Sequence, residues 1–197
     1  MREPEPSPEQ TSPIEAPPSP ESSVKSFLRE AAETIVLAVV LFLLLQLVVR
    51  NFRILGDSML PTLETGQFVL VERVSYWFSA PRRGDVVIFE YPRAPQEDFI
   101  KRIIGLPGET VEIESGSVYI NGNLLVEPYL AGQPTLTYRP IRLTLGPDEY
   151  FVMGDNRAAS SDSRSWGPLP RRNIIGRAWL CYWPPSRWGV IRRATYP

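Results

Sequence analysis

Lys101 lies in the run Phe99-Ile100-Lys101-Arg102-Ile103-Ile104, which reads as an apolar strand entering a turn at Gly105-Leu106-Pro107-Gly108. A lysine turned toward the core of such a strand is desolvated, its ammonium is disfavoured, and its pKa falls toward neutrality. The amine can then act as a general base. Turned outward it is a surface charge, and alternation with Ile100 and Arg102 leaves both faces open. Upstream, Ser58 stands in Gly56-Asp57-Ser58-Met59-Leu60-Pro61-Thr62-Leu63. Gly56 admits backbone conformations closed to other residues and Pro61 has no N–H for a ladder, so the segment reads as a shaped loop. Taken alone it is equally an ordinary turn that contains a serine. A third stretch, residues 153–167, interleaves Asp155, Arg157, Asp162 and Arg164 with Ser160, Ser161, Ser163 and Ser165. Its hydroxyls can orient an amine, and Asp162 and Arg164 can pair to hold the loop. As a solvated loop, the same ion pair would contribute only about 0–1 kcal/mol.

What the chain lacks narrows the chemistry. There is no histidine among its 197 residues, which excludes a Ser-His-Asp triad, a Cys-His pair and nearly all catalytic zinc sites. Acid–base work falls to Lys, Asp, Glu or Tyr. No metal or organic cofactor is indicated. The net charge of -1 gives no attraction to nucleic acid, and no helix-turn-helix or zinc-finger spacing is present. The one cysteine, Cys181, cannot form an intramolecular disulfide. It lies in a strand-like run, residues 177–183, and reads as a small core residue.

The elements that must position these residues follow from composition and period. Residues 1–23 are rich in Pro, Glu and Ser, with Glu3, Glu5, Glu9, Glu15 and Glu21, and are expected to be a disordered tail. Residues 34–49 carry no charge, and with their flanks reach the roughly 20 residues that cross a bilayer. Residues 24–52 are therefore expected to form a single transmembrane anchor with its flanks, since only Gln46 interrupts the apolar surface. A buried core helix is the alternative. No small-residue cleavage site follows the apolar stretch, so the anchor should stay attached. Lys25 and Arg29 precede it and Arg50 and Arg53 follow it, so charge alone does not orient the chain.

Residues 53–197 change texture to short β-like runs such as 68–71, 85–89 and 151–153, punctuated by Gly and Pro. Residues 117–120 and 123–126 flank Asn121-Gly122, the pair that supplies positive φ in a type I′ turn, and read as a hairpin. With no long amphipathic helix after the anchor, the fold class is mainly β: an antiparallel domain shaped as a sandwich or partly open barrel.

These segments resemble the signature boxes of bacterial type I signal peptidases. The resemblance rests on Ser-Met-x-Pro-Thr-Leu at 58–63, Arg-Gly-Asp-Val-Val at 83–87, Lys-Arg-x-x-Gly-x-Pro-Gly at 101–108, and Gly-Asp-Asn-Arg-x-x-Ser-x-Asp-Ser-Arg at 154–164. They occur in the family's order after an N-terminal anchor, and the likeness spans nearly everything from Ala31 onward. It implies a serine endopeptidase that removes signal peptides from exported preproteins after small residues (Ala-x-Ala), with Ser58 as nucleophile and Lys101 as general base. It further implies that Ser160 helps hold the lysine amine, that Asp155, Asp162 and Arg164 support the site, and that the Ser58 N–H is an oxyanion donor. Some members carry a serine two residues before the nucleophile as a second donor; Gly56 stands there in this chain. Ile54, Met59, Leu63, Phe99 and Ile100 would line the substrate pockets, although apolar strand residues are as readily core.

The same resemblance implies signal peptides and membrane lipid as partners. It places the chain in the bacterial plasma membrane, or an internal photosynthetic one, with the tail cytoplasmic and the catalytic domain outside. Tyr76-Trp77-Phe78 and Trp183-Pro184-Pro185 are candidates for the lipid interface, with burial in the core as the alternative. Two other classes remain as comparisons: a tethered β domain that binds without catalysis, and the self-cleaving serine-lysine repressors. The repressors have no reason for an anchor.

Overall fold

The computed structural model describes residues 20–196 apart from residue 131; in the first helix the side chains of residues 20–26, 44, 45 and 47 also lie outside the described set. The chain divides into two units, residues 1–44 and 45–197. Helix α1 (Pro20–Val48) begins inside the stretch expected to be disordered. Proline suits a first helical position because its φ is preset and it has no N–H to lose there. The rest of the expected tail, residues 1–19, lies outside the described residues. Along α1, Ile35, Val36, Leu37, Val39, Val40, Leu41, Phe42 and Leu43 are all 47–69% exposed. Among the described residues no helix is long and apolar enough to cross a membrane. The expected span, 34–49, includes residues 44, 45 and 47, whose side chains lie outside them.

From Val49 onward the chain is mainly β, and every strand pair is antiparallel. In order come β1 (Val49–Arg53), β2 (Phe68–Glu72), the one-turn helix α2 (Ser75–Phe78), β3 (Val86–Tyr91) and β4 (Ala94–Gly105). Next are β5 (Thr110–Glu114), β6 (Ser117–Ile120), β7 (Asn123–Leu124), β8 (Ile141–Thr144) and β9 (Glu149–Met153). After α3 (Ser163–Trp166) come β10 (Leu169–Pro170), β11 (Ile174–Trp183) and β12 (Gly189–Val190). The larger sheet is open, ordered β1-β2-β11-β3-β4-β9-β10 with β12 on β11; the smaller is β7-β6-β5-β8.

Sequence patterns explain the layers. β3 has four successive buried residues, Val86 to Phe89, because the central strand is covered on both faces. Val86 and Ile88 join one apolar cluster with Ile54, Met59, Val69, Val71, Ile100 and Cys181. Val87 and Phe89 face the other way, toward Ile103, Tyr150, Val152 and Trp166. Cys181, 4% exposed, is the core residue its strand suggested. The β6–β7 turn has Asn121 at φ 51° and Gly122 at φ 81°, the double positive φ of a type I′ hairpin. Its second strand ends at Leu124, shorter than the 123–126 run expected.

The candidate active site

Two segments face each other across a groove of about 620 Å³. On one side β4 is paired to β3 along its length, but β9 meets it only from Arg102 onward, so the edge from Ala94 to Lys101 is free. On the other side runs the chain from Phe52 to Ser58. Ile54 is tied to Gln67 by its N–H (2.8 Å) and accepts from the Gly66 N–H (2.9 Å), which leaves its far edge toward the groove. Beyond Gly56, at φ +84°, the chain turns, and Met59 plunges into the core at 0% exposure, pinning its neighbour Ser58 at the groove wall. The Ser58 N–H donates to nothing among the described residues.

Period-two alternation puts Phe99, Lys101 and Ile103 on one face of β4 and Ile100, Arg102 and Ile104 on the other. Lys101 is 4% exposed and its Nζ stands 5.3 Å from the centre of the Phe99 ring. The amine donates to Ser58 Oγ at 2.8 Å and to the Ile100 carbonyl at 2.9 Å. Burial pushes its pKa down to about 8, against the upward pull of the Asp162 and Asp155 carboxylates. A neutral lysine in hydrogen-bonding reach of a serine hydroxyl can activate that hydroxyl as a nucleophile without a histidine.

The loop 154–164 braces this pair from below. Asp155 is held bidentately by Arg102, at 2.8 and 2.6 Å, and accepts from Thr62 Oγ1 at 2.5 Å. Asp155 is 1% exposed and Arg102 2%, so one carboxylate ties β4 to the chain just beyond Ser58. Asn156 grips the Ser58 segment directly, its N–H to the Ser58 carbonyl (3.0 Å) and its Nδ2 to the Asp57 carbonyl (3.1 Å). Asp162, fully buried, accepts from the Gly154 N–H at 3.0 Å and pairs with Arg164 at 2.8 Å. It also caps α3 by accepting from the Arg164 N–H. Such burial separates the loop from a solvated one, since charges in that setting persist only when paired.

The expected site residues divide unequally. Ser58, Lys101, Asp155, Asp162 and Arg164 are brought into one connected set. Ser160 Oγ is buried beside this set but has no hydrogen-bond partner among the described residues, and Lys101 donates elsewhere. Ile54, Phe99 and Ile100 line the groove. Met59 and Leu63 are not among its lining residues: both pack inside the main apolar cluster, because the turn after Ser58 rotates them inward. Among the described residues no group of three or more His, Cys, Asp or Glu side chains is placed to hold a metal.

A model of the family described as signal peptidase, peptidase S26, matches residues 28–183. The chain belongs to the signal peptidase family. This membership makes it a serine peptidase. It is 43% identical to a probable signal peptidase I-1 of Synechocystis, over 90% of this chain and 94% of that protein. It is 42% identical to a signal peptidase I of Leptolyngbya laminosa, over 94% of each. A probable thylakoidal processing peptidase 2 of Arabidopsis thaliana is 41% identical over 67% of this chain and 37% of its own. A crystal structure of a signal peptidase I from Enterococcus faecalis shares 36% identity over 50% of this chain and 97% of its own, with a TM-score of 0.45.

Within this family member, three residues carry more than their sequence context announced. Arg102, whose face alternation left open, is the buried counter-ion of Asp155. Thr62, on the Ser58 segment, donates to Asp155, and Asn156 donates to the Ser58 and Asp57 carbonyls, through hydrogen bonds that no spacing rule reveals. Gly154 had a readable signal as a glycine between a strand and a polar loop. A Cβ there would collide with Ser160 Oγ and with the Ser58 carbonyl oxygen.

Proposed function

We propose that this protein is a membrane-bound endopeptidase that cleaves N-terminal signal peptides from exported preproteins after small residues, with Ser58 as nucleophile and Lys101 as general base. The observation that carries this reading is the 2.8 Å hydrogen bond between Lys101 Nζ and Ser58 Oγ at the wall of the groove. The neutral amine takes the Ser58 proton as Oγ attacks the scissile carbonyl. The ammonium so formed returns the proton to the leaving amine, and a water activated by the same lysine releases the acyl group. The free Ser58 N–H is the oxyanion donor, a type of contact worth about 3 to 4 kcal/mol. Ser160, Asp155, Asp162 and Arg164 support the amine and the loop. An extended substrate pairs with the unpaired edge of β4, and Ile54, Phe99 and Ile100 form the shallow apolar walls that favour small side chains.

Helix α1 is the anchor in this reading. Apolar side chains exposed all along it are costly in water and favourable in hydrocarbon. The catalytic domain lies on the side to which substrates are exported, in the plasma membrane or a thylakoid membrane. Trp77, Phe78 and Trp183, at 62%, 85% and 53% exposure, rest in the lipid interface.

The test is cleavage of a preprotein bearing an Ala-x-Ala site by purified chain in detergent, comparing wild type with Ser58→Ala and Lys101→Met. Cutting after the second alanine by wild type alone supports the reading. Equal inertness of all three folded proteins sinks it in favour of a binding domain.

A further inference from the structure

The charges of two carboxylates, Asp155 and Asp162, act on Lys101, each neutralised by its own guanidinium, Arg102 and Arg164. The two pairs are not equally protected. Arg102 and Thr62 form part of the wall of a second cavity of about 410 Å³, behind the catalytic pair. Tyr129 lines the same cavity and covers one face of the Arg102 guanidinium, ring centre 4.4 Å from Cζ. The ring is itself held at its edge. Its hydroxyl donates to Glu127 Oε1 at 2.5 Å and lies 3.3 Å from the Tyr196 hydroxyl, and the two tyrosine rings meet edge to face at 6.5 Å. Glu127 in turn pairs with buried Arg157, whose Nε donates to the Gly154 carbonyl at 3.2 Å. The C-terminal segment closes the circuit, because the Ala194 N–H and Arg102 share the Gly84 carbonyl.

We propose that Tyr129 is a positioning residue for the catalytic pair: its ring, clamped by Glu127 and Tyr196, covers the Arg102 guanidinium where it borders the cavity and so keeps the charge of Asp155 neutralised at Lys101. The inference rests on Lys101 being the base. A guanidinium over an aromatic face is attracted to it and loses little by giving up water there. With the ring gone, water reaches Arg102, solvation competes with Asp155, and the carboxylate field at Lys101 is less cancelled. Water entry and an uncovered carboxylate both favour the ammonium. Burial holds the Tyr129 and Tyr196 phenols above the usual tyrosine range, so both remain protonated clamps at working pH.

Lys25 and Lys101 are the two lysines of the chain, so labelling lysine Cε with carbon-13 in the full-length protein yields two resolvable titrations. In detergent, wild-type Lys101 should titrate near pH 8. Tyr129→Leu should raise that midpoint by about one unit, a tenfold smaller neutral fraction at pH 7, and lower kcat by the same factor with KM unchanged. Tyr129→Phe, which keeps the ring, should leave the midpoint near wild type, and Tyr196→Ala should move it in the same direction as Tyr129→Leu but less. An unmoved midpoint in folded Tyr129→Leu overturns the inference, as do equal shifts in the Leu and Phe variants. Should the Leu variant fail to fold, an unmoved midpoint in Tyr196→Ala overturns it. A wild type that titrates near pH 8 yet cuts no preprotein would overturn the proposed function and leave the ring's effect on Lys101 standing.

Discussion

Lys101 and Ser58 are 43 residues apart in sequence, and their side chains meet at 2.8 Å with the amine buried. Because burial pushes the amine's pKa to about 8, proteolysis should be weak in mild acid and rise through that value as the ammonium loses its proton. Initial rates of preprotein cleavage from pH 6 to 10 check this. A rate flat across that range contradicts lysine as the base.

The same depressed pKa acts on folding. The folded value lies below the unfolded 10.5, so between about 8 and 10.5 the unfolded chain binds more protons and stability rises with pH. Below pH 8 the folded protein carries a buried ammonium in full. Lys101→Met should therefore be inactive yet more stable than wild type at pH 7. Its advantage should shrink by on the order of 3 kcal/mol on going to pH 10.5. Urea melts at the two pH values decide, and a variant less stable throughout would be the contrary result.

Gly154 admits no side chain. Gly154→Ala would force Ser160 or the Ser58 carbonyl, each 2.4 Å from the added Cβ, aside by about 1 Å to reach ordinary contact at 3.4 Å, displacing the Ser58 loop. Overpacking of this kind costs about 1–3 kcal/mol, and misplacement on that scale is expected to cut kcat about a hundredfold. Steady-state kinetics with a stability measurement on the same sample separates the two losses.

Asp162→Asn removes one of the two carboxylates that raise the Lys101 pKa and leaves Arg164 unpaired. Both changes disfavour the ammonium, so the acidic limb of the rate profile should move to lower pH, opposite to the shift expected for Tyr129→Leu. The variant should also lose about 3–5 kcal/mol of stability, the usual consequence of orphaning a buried charge.

Trp77 and Phe78 are 62% and 85% exposed. Changing both to serine should leave the melting temperature of the domain nearly unaltered, since exposed substitutions usually shift stability by no more than about 0.5 kcal/mol. Stimulation of cleavage by lipid vesicles should fall. A collapsed melting transition would instead assign these rings to packing.

Much of this protein was legible in its sequence wherever a local rule applied. The absence of histidine left acid–base work to Lys, Asp, Glu or Tyr; Asn121-Gly122 dictated its hairpin through positive φ; and the run 85–89 read as a strand. The motif order from Ser58 to Arg164 carried the family. What tertiary structure alone decided is which way things face. Alternation cannot orient Lys101 on a strand whose two faces are both buried, and the same ambiguity hid Arg102 as the counter-ion of Asp155. Met59 and Leu63, plausible as pocket walls, went to the core because the turn after Ser58 is set by contacts with Asn156 and Gly154, nearly a hundred residues away. Burial and counter-ion pairing are properties of the packed chain, and they set the charge state of the amine.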